Sequence, residues 1–245
     1  MDSDPEEEAE LPYAIGRAAN DGDFDTVKAW LATTSINRLD NTGWTLLHWT
    51  AVSRPPTPGH VEFARYLISQ GVRVDAQSQI TKSTALHYAC DNTSADMVSM
   101  LLAAGAAIDI QTKDGDTPLF FVGRMEARSE SMFDIVTILL RAGASLDSST
   151  RSFEEHLDGL EDGEPDPDQL EHVSAVRTLV ASVRAAGSWK AHCRLPHKQI
   201  LRLRSLVARG RTRERLATTR AIRFVVRQGD NGIVWNILSY WRETG

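Results

Sequence analysis

Three groups of residues in this chain have types and spacings that could do chemistry. His192 and Cys193, with His197, offer nitrogen and sulfur donors of the kind that hold zinc. A closed zinc site needs four ligands, and neither a fourth donor nor a paired Cys stands at ligand spacing, so no metal is expected there. Glu161, Asp162, Glu164, Asp166 and Asp168 partly alternate as calcium-loop ligands do. Pro165 and Pro167 occupy intervening positions and no closing Glu follows, so the run reads as a solvated acidic loop. The nine arginines from Arg202 to Arg227 are dense enough to contact phosphates, although the aromatic residues of that segment lie at its ends and are not interleaved with them. His48, His87 and Cys90 recur inside apolar patterns, where a buried, hydrogen-bonded histidine and a small core thiol are the expected roles. No nucleophile, base and orienting acid come together, and no Gly-rich phosphate loop follows a strand pattern. The reading is not an enzyme, with no cofactor.

The elements that position these residues are organised around Thr84 to Asp109, TALHYACDNTSADMVSMLLAAGAAID. Leu86, Ala89 and Cys90 make one apolar face at helical spacing, and Met97, Val98, Met100, Leu101 and Leu102 make a second. Two such short helices bury neither face alone, so copies are required beside them. Thr45 to Asp75 and Thr117 to Asp147 are those copies. The threonines are 39 and 33 residues apart, and the helix-closing Gly71, Gly105 and Gly143 are 34 and 38 apart. Thr is a good N-cap, Pro is tolerated at the first helical position, and the closing Gly allows the left-handed turn that ends a helix. Asn41-Thr42-Gly43 and Lys113-Asp114-Gly115 are turn sequences ahead of the capping threonines.

Here the chain resembles the ankyrin-repeat family, whose unit of about 33 residues opens on T-P-L-H-x-A. The resemblance is carried by Thr45-Leu46-Leu47-His48, by Thr84-Ala85-Leu86-His87-Tyr88-Ala89 and by Thr117-Pro118-Leu119-Phe120, with Gly59-His60-Val61-Glu62 as a second-helix start. Pro is replaced at 46 and 85, and Phe120 replaces the histidine. The resemblance implies an all-α solenoid of helix-turn-helix repeats with β-hairpin loops. Its structural residues would be Thr45, Leu47, His48, Gly71, Thr84, Leu86, His87, Gly105, Thr117, Pro118, Leu119 and Gly143.

The expected organisation is a disordered acidic N-terminus at 1–10, a repeat domain at 11–187 and a basic helical module at 188–245. The repeat domain starts with a helix pair, Leu11 to Asn20 and Phe24 to Leu31, facing Ala14, Ile15, Ala18, Ala19, Val27 and Leu31 inward, with Asp23 as N-cap. Three clear repeats follow at 41–75, 76–109 and 110–147, then a degenerate fourth with the acidic loop at 148–187, where Glu155-His156-Leu157 stands in the motif register. Ser53 to Pro58 and Gly123 to Glu130 read as loop insertions; the first places Thr57 before a proline as a docking or phosphorylation candidate. The tail is similar to C-terminal modules of ankyrin proteins from unicellular eukaryotes. Up to Gly187 the chain has 14 Lys or Arg against 30 Asp or Glu; beyond it, 13 against 3. The basic helices are therefore expected to cap the acidic array.

No stretch approaches 18 apolar residues and no apolar, positively flanked N-terminus is seen, so neither a membrane span nor secretion is expected. Two cysteines give no disulfide framework, which fits a cytoplasmic or nuclear compartment. What the resemblance implies is protein binding without catalysis, through a concave face of hairpin tips and first helices. Candidate contact residues are Trp44, Lys82, Asp91, Asn92, Asp114, Asp116 and Arg124. Trp44 is either an exposed anchor or a packing residue on Leu46 or the next hairpin. Two alternatives are a ubiquitin-ligase substrate adaptor with the C-terminal helices as recruiting box, and nucleic-acid binding by the basic tail.

Overall fold

The computed structural model describes residues 10–54, 57–122, 131–147, 153–159 and 167–195. The N-terminal acidic run, Pro55, Pro56, Arg124, the acidic loop from Glu161 to Asp166, His197 and the tail helices lie outside the described residues. The chain divides into two compact units, Met1–Thr178 and Leu179–Gly245. The division falls within a helix and not at the 187/188 boundary read from charge.

In the first unit the helices come in pairs: α1 (Tyr13–Asp21) and α2 (Phe24–Leu31), α3 (Leu46–Ala51) and α4 (Pro58–Ser69), α5 (Ala85–Asp91) and α6 (Ala95–Ala103), α7 (Pro118–Phe121) and α8 (Ser131–Ala142). Then come α9 (Phe153–Gly159) and α10 (Pro167–Ala186). The first helices α1, α3, α5, α7 and α9 pack in series, and so do the second helices α4, α6 and α8. No strand occurs among the described residues; the hairpin loops are tight hydrogen-bonded turns. The core runs through the stack as Leu47, Ala64, Leu67, Leu86, Val98, Leu101, Leu119, Ile135 and Leu139, all nearly inaccessible. A single pair of these short helices has too little apolar area to offset the entropy of ordering, so each pair depends on its neighbours.

Second helices end as their glycines dictate: Gly71, Gly105 and Gly143 have φ of +88°, +87° and +104°. The residue four positions beyond each of the first two then ties adjacent repeats together. Asp75 accepts from Ala107 N–H at 2.9 Å and Asp109 from Ser145 N–H at 3.2 Å, while Asn37 accepts from Arg73 N–H at 2.8 Å and donates to the Gly71 carbonyl at 3.1 Å. Burial raises the Asp109 carboxyl above its ordinary range, partly offset by the Ser145 N–H.

The N-terminal pair corrects one expected face. Asp23 does cap α2, accepting from Thr26 N–H at 3.3 Å. Yet Ala14 is exposed and Ile15 half-buried, whereas Gly16 and Ala19 are the buried residues of α1. The reason is a close approach: a Cβ on Gly16 would lie 2.6 Å from the indole of Trp49 in α3. A pattern reading that scores glycine as faceless rotates the helix away from this contact. Leu11, buried at 2% exposure, precedes α1 and donates its N–H to the Leu39 carbonyl at 2.8 Å.

α9 places Phe153 and Leu157 in the core. His156 Nε2 donates to the Val122 carbonyl at 2.9 Å, and its ring lies 4.6 Å from that of Phe120. In the second unit, Val180 and Val183 are buried, Gly187 ends α10 at φ +81°, and residues 189–195 are helical with the Trp189 and His192 rings 5.6 Å apart.

Candidate functional site

Each capping threonine works with the histidine three residues on. His48 Nδ1 accepts from Thr45 N–H at 3.1 Å and lies 2.9 Å from Thr45 Oγ1; His87 repeats both contacts with Thr84 at 3.1 and 2.9 Å. The far nitrogen reaches the next repeat: His48 Nε2 meets the Ser83 carbonyl at 3.2 Å, and His87 Nε2 the Asp116 carbonyl at 3.3 Å. A carbonyl only accepts, so Nε2 carries the proton and each ring is neutral. Burial, the largest influence, pulls both imidazoles down from 6.5 to about 4, against the neighbouring carbonyls, which favour the charged form. These histidines are ties between repeats, with no solvent access for acid-base work. Phe120 breaks the chain of ties at the third repeat, where α7 has no capping box.

The turns ahead of the first helices are built by short polar side chains. Buried Asp40 accepts from Thr42 N–H, Thr42 Oγ1 and Trp44 N–H at 2.8, 2.6 and 2.9 Å, and its other oxygen accepts from Trp49 Nε1 at 3.0 Å. Ser78 and Thr112 do the same with hydroxyls, Ser78 Oγ accepting from Thr81 N–H and Thr112 Oγ1 from Asp114 and Asp116 N–H. The tips are stitched together: Gln79 N–H donates to the Thr42 carbonyl and Lys113 N–H to the Thr81 carbonyl, both at 2.9 Å.

Against this frame the expected contact residues separate. Lys82 and Asp114 are exposed on their tips. Lys82 takes φ +59° where Gly43 and Gly115 take +79° and +80° in the neighbouring turns. Two residues expected at the surface are buried, each at 3% exposure. Asn92 ends α5, donates to the Ala51 carbonyl at 3.0 Å and accepts from Arg54 Nε, so it braces the preceding loop. Asp116 is drawn under the turn by Thr112 and by His87. Asp91 is half-buried and pairs with Arg54 at 3.4 Å.

Trp44 is half-buried. Its ring lies 5.2 Å from Trp49, 4.8 Å from Tyr88 and 5.9 Å from His48, and Tyr13 of α1 continues the row at 5.5 Å from Trp49. An aromatic row therefore crosses the first helices of three pairs, with Trp44 inside it and Tyr13, 65% exposed, at its end. One tip carries a further apolar group. The turn from Ser78 to Ser83 holds one residue more than those from Asp40 to Trp44 and from Thr112 to Asp116, and Ile80 within it is 60% exposed. Sequence spacing contains the signal: Gly71 to Thr84 is 13 residues, Gly105 to Thr117 is 12.

Among the described residues no group of three His, Cys, Asp or Glu could hold a metal. Cys90 is fully buried and its thiol is pushed well above its ordinary range by burial, with Asp91 adding to the effect; it is a core side chain and a poor nucleophile. No helix among the described residues is long and apolar enough to cross a membrane.

Stacked helix pairs, tied by backbone carbonyls and neutral histidines, with tips and first helices turned to one face, define a helical-repeat interaction domain. A family model described as ankyrin repeats in three copies matches residues 15–114 and again 57–150, and the chain belongs to that family. Curated relatives include ankyrin repeat domain-containing protein 40 of Mus musculus, 34% identical over 70 residues, 29% of this chain and 19% of the relative. Ankyrin repeat and SOCS box protein 16 of Homo sapiens is 41% identical over 61 residues, 25% of this chain and 13% of the relative. The E3 ubiquitin-protein ligase Ufd4 of Drosophila melanogaster is 33% identical over 84 residues, 34% and 3% respectively. The matched segments thus span less than a fifth of these relatives.

Proposed function

We propose that the chain is a non-catalytic scaffold that seats a protein partner against its turn tips and first helices. The carrying observation is the placement on that face of Tyr13 and Ile80, the two most exposed large apolar side chains among the described residues, with Tyr13 at the end of the aromatic row through Trp49, Trp44 and Tyr88 and Ile80 on a turn tip. Isolated exposed apolar groups are ordinary, but aromatic and aliphatic anchors beside a rigid, preordered strip have the composition of binding hot spots. Lys82, on the same tip as Ile80, and Asp114, on the next tip, are both exposed and supply charges of opposite sign for orientation. The repeat boundaries, the cap role of the tail and residence in the cytoplasm or nucleus belong to the same proposal.

Ile80→Glu separates binding from folding. The side chain is mostly in solvent, so its exchange is expected to change stability by no more than about 0.5 kcal/mol. Full-length baits carrying Ile or Glu at this position are compared for the proteins they retain from lysate. Loss of specific proteins with an unaltered thermal midpoint supports the reading. Equal retention by both baits removes Ile80 from it.

A second reading, a substrate adaptor for a ubiquitin ligase, draws on the SOCS-box and ligase names among the relatives and would place the recruiting box in the C-terminal helices. Recovery of ligase subunits that depends on residues 188–245 would favour it. Capture that depends on the tail and vanishes with salt or nuclease would favour nucleic acid instead.

A further inference from the structure

We infer that Thr57 is a phosphoacceptor for a proline-directed serine/threonine kinase. The chain holds two Thr-Pro pairs, Thr57-Pro58 and Thr117-Pro118, and no Ser-Pro pair. Both pairs stand at the N-cap and first position of a helix, α4 and α7, yet they differ in access. Thr117 is 2% exposed and Pro118 is buried under the neighbouring first helices, as are the capping Thr45 and Thr84 at 0% and 1%. Thr57, Pro58 and Gly59 are all exposed. The backbone at Thr57 is extended, with φ −107° and ψ 159°, so hydroxyl and proline can be presented along an open cleft. A residue after the acceptor that lacks an N–H and has a fixed φ fits a kinase pocket that offers no partner for that N–H; any other residue there would leave a donor unpaired.

In the transfer, Thr57 Oγ1 forms a bond to the γ-phosphorus of ATP as the bond from that phosphorus to the β-phosphate oxygen breaks. ADP leaves and the hydroxyl proton passes to the catalytic carboxylate of the kinase. The modified oxygen would sit at a junction. Thr57 Oγ1 lies 2.6 Å from His60 Nδ1, and His60 Nε2 lies 2.9 Å from both the Asn20 carbonyl and Ser53 Oγ. His60 is 4% exposed, so the N-terminal pair, the loop leaving α3 and the start of α4 meet on one buried ring. Esterification removes the hydroxyl proton from this contact and sets nearly two negative charges at the N-terminus of a 12-residue helix. That end of a helix favours anions, so the fold can carry the group.

The test is incubation of the full chain with ATP and a proline-directed kinase, followed by mass spectrometry of the intact protein and its peptides. One phosphate per chain is expected, mapped to Thr57, with Thr117 unmodified. Thr57→Ser retains incorporation and Thr57→Ala loses it. Pro58→Ala keeps the hydroxyl and the cap, so loss of incorporation with an unchanged thermal midpoint ties the modification to the Thr-Pro pair. No incorporation into folded wild-type protein overturns the inference. Undiminished incorporation into Pro58→Ala, or incorporation at Thr117 alone, overturns it as well.

Discussion

Gly43→Ala is expected to lower the unfolding free energy by about 3 kcal/mol. Two costs combine. At φ +79° an L side chain sits in the left-handed region, which costs about 1–2 kcal/mol. The added Cβ would also lie 2.5 Å from Gln79 Cγ and 2.7 Å from Gln79 N. The second atom is backbone and cannot swing away, so the tip of the next turn must move and its Gln79 N–H to Thr42 carbonyl bond, at 2.9 Å, is lost at about 1 kcal/mol. Gly71→Ala is the internal control: its φ is +88°, but nothing lies within 4 Å of the added Cβ. It should show the conformational cost alone, about 1–2 kcal/mol. Denaturant unfolding of both variants checks the difference; equal losses would mean that the tips do not bear on one another.

Acid should weaken the fold well before most carboxylates are protonated. His48 and His87 are neutral in the native state and are held down to about 4, from 6.5 in an open chain, chiefly by burial. A base depressed on folding stabilises the native state fully above its unfolded value. That contribution declines as pH falls from 6.5 and is gone near 4, because below that point both states bind the proton. Each ring accounts for about 3 kcal/mol across this window, comparable in sum to much of the stability of an ordinary domain. Protonation would also place a donor on Nδ1, opposite the Thr45 or Thr84 N–H that it now accepts from. Unfolding midpoints at pH 7, 5.5 and 4 should fall in that order, with the steeper part below pH 5.5. A midpoint that stays level from pH 7 to 4 would show that the rings are not buried neutral.

The repeat frame was legible because it rests on local rules. A threonine that must cap, a leucine that must be buried and a histidine three residues after the threonine recur in phase, and each has one structural solution. Other features depend on what a neighbouring pair brings. Gly16 faces inward only because Trp49 lies over it, and no pattern within α1 could show that. Asn92 looks like a surface polar residue beside Asp91, yet the Ala51 carbonyl of the previous repeat needs a donor and Asn92 supplies it. Asp116 is buried because Thr112 and His87 both reach it. Trp44 was open between anchor and packing from sequence; the row formed with Trp49 and Tyr88 holds it half-buried, while Tyr13 and Ile80 are the most exposed large apolar groups among the described residues. Ile80 was visible only as one extra residue between Gly71 and Thr84, a difference hidden by the longer insertion upstream.

In the proposed scaffold the turn tips and first helices form the face that takes a protein. Site-specific photocrosslinking tests it directly, with the reactive residue placed in the full chain at position 80 and, in a separate protein, at position 133. Phe133, on the second helix α8, is also exposed, at 37% against 60% for Ile80, so both positions are open to a partner and they lie on different helix sets. Discrete, competable adducts from position 80 and none from position 133 are expected. Adducts from position 133 alone would place binding on the second helices and contradict the assignment.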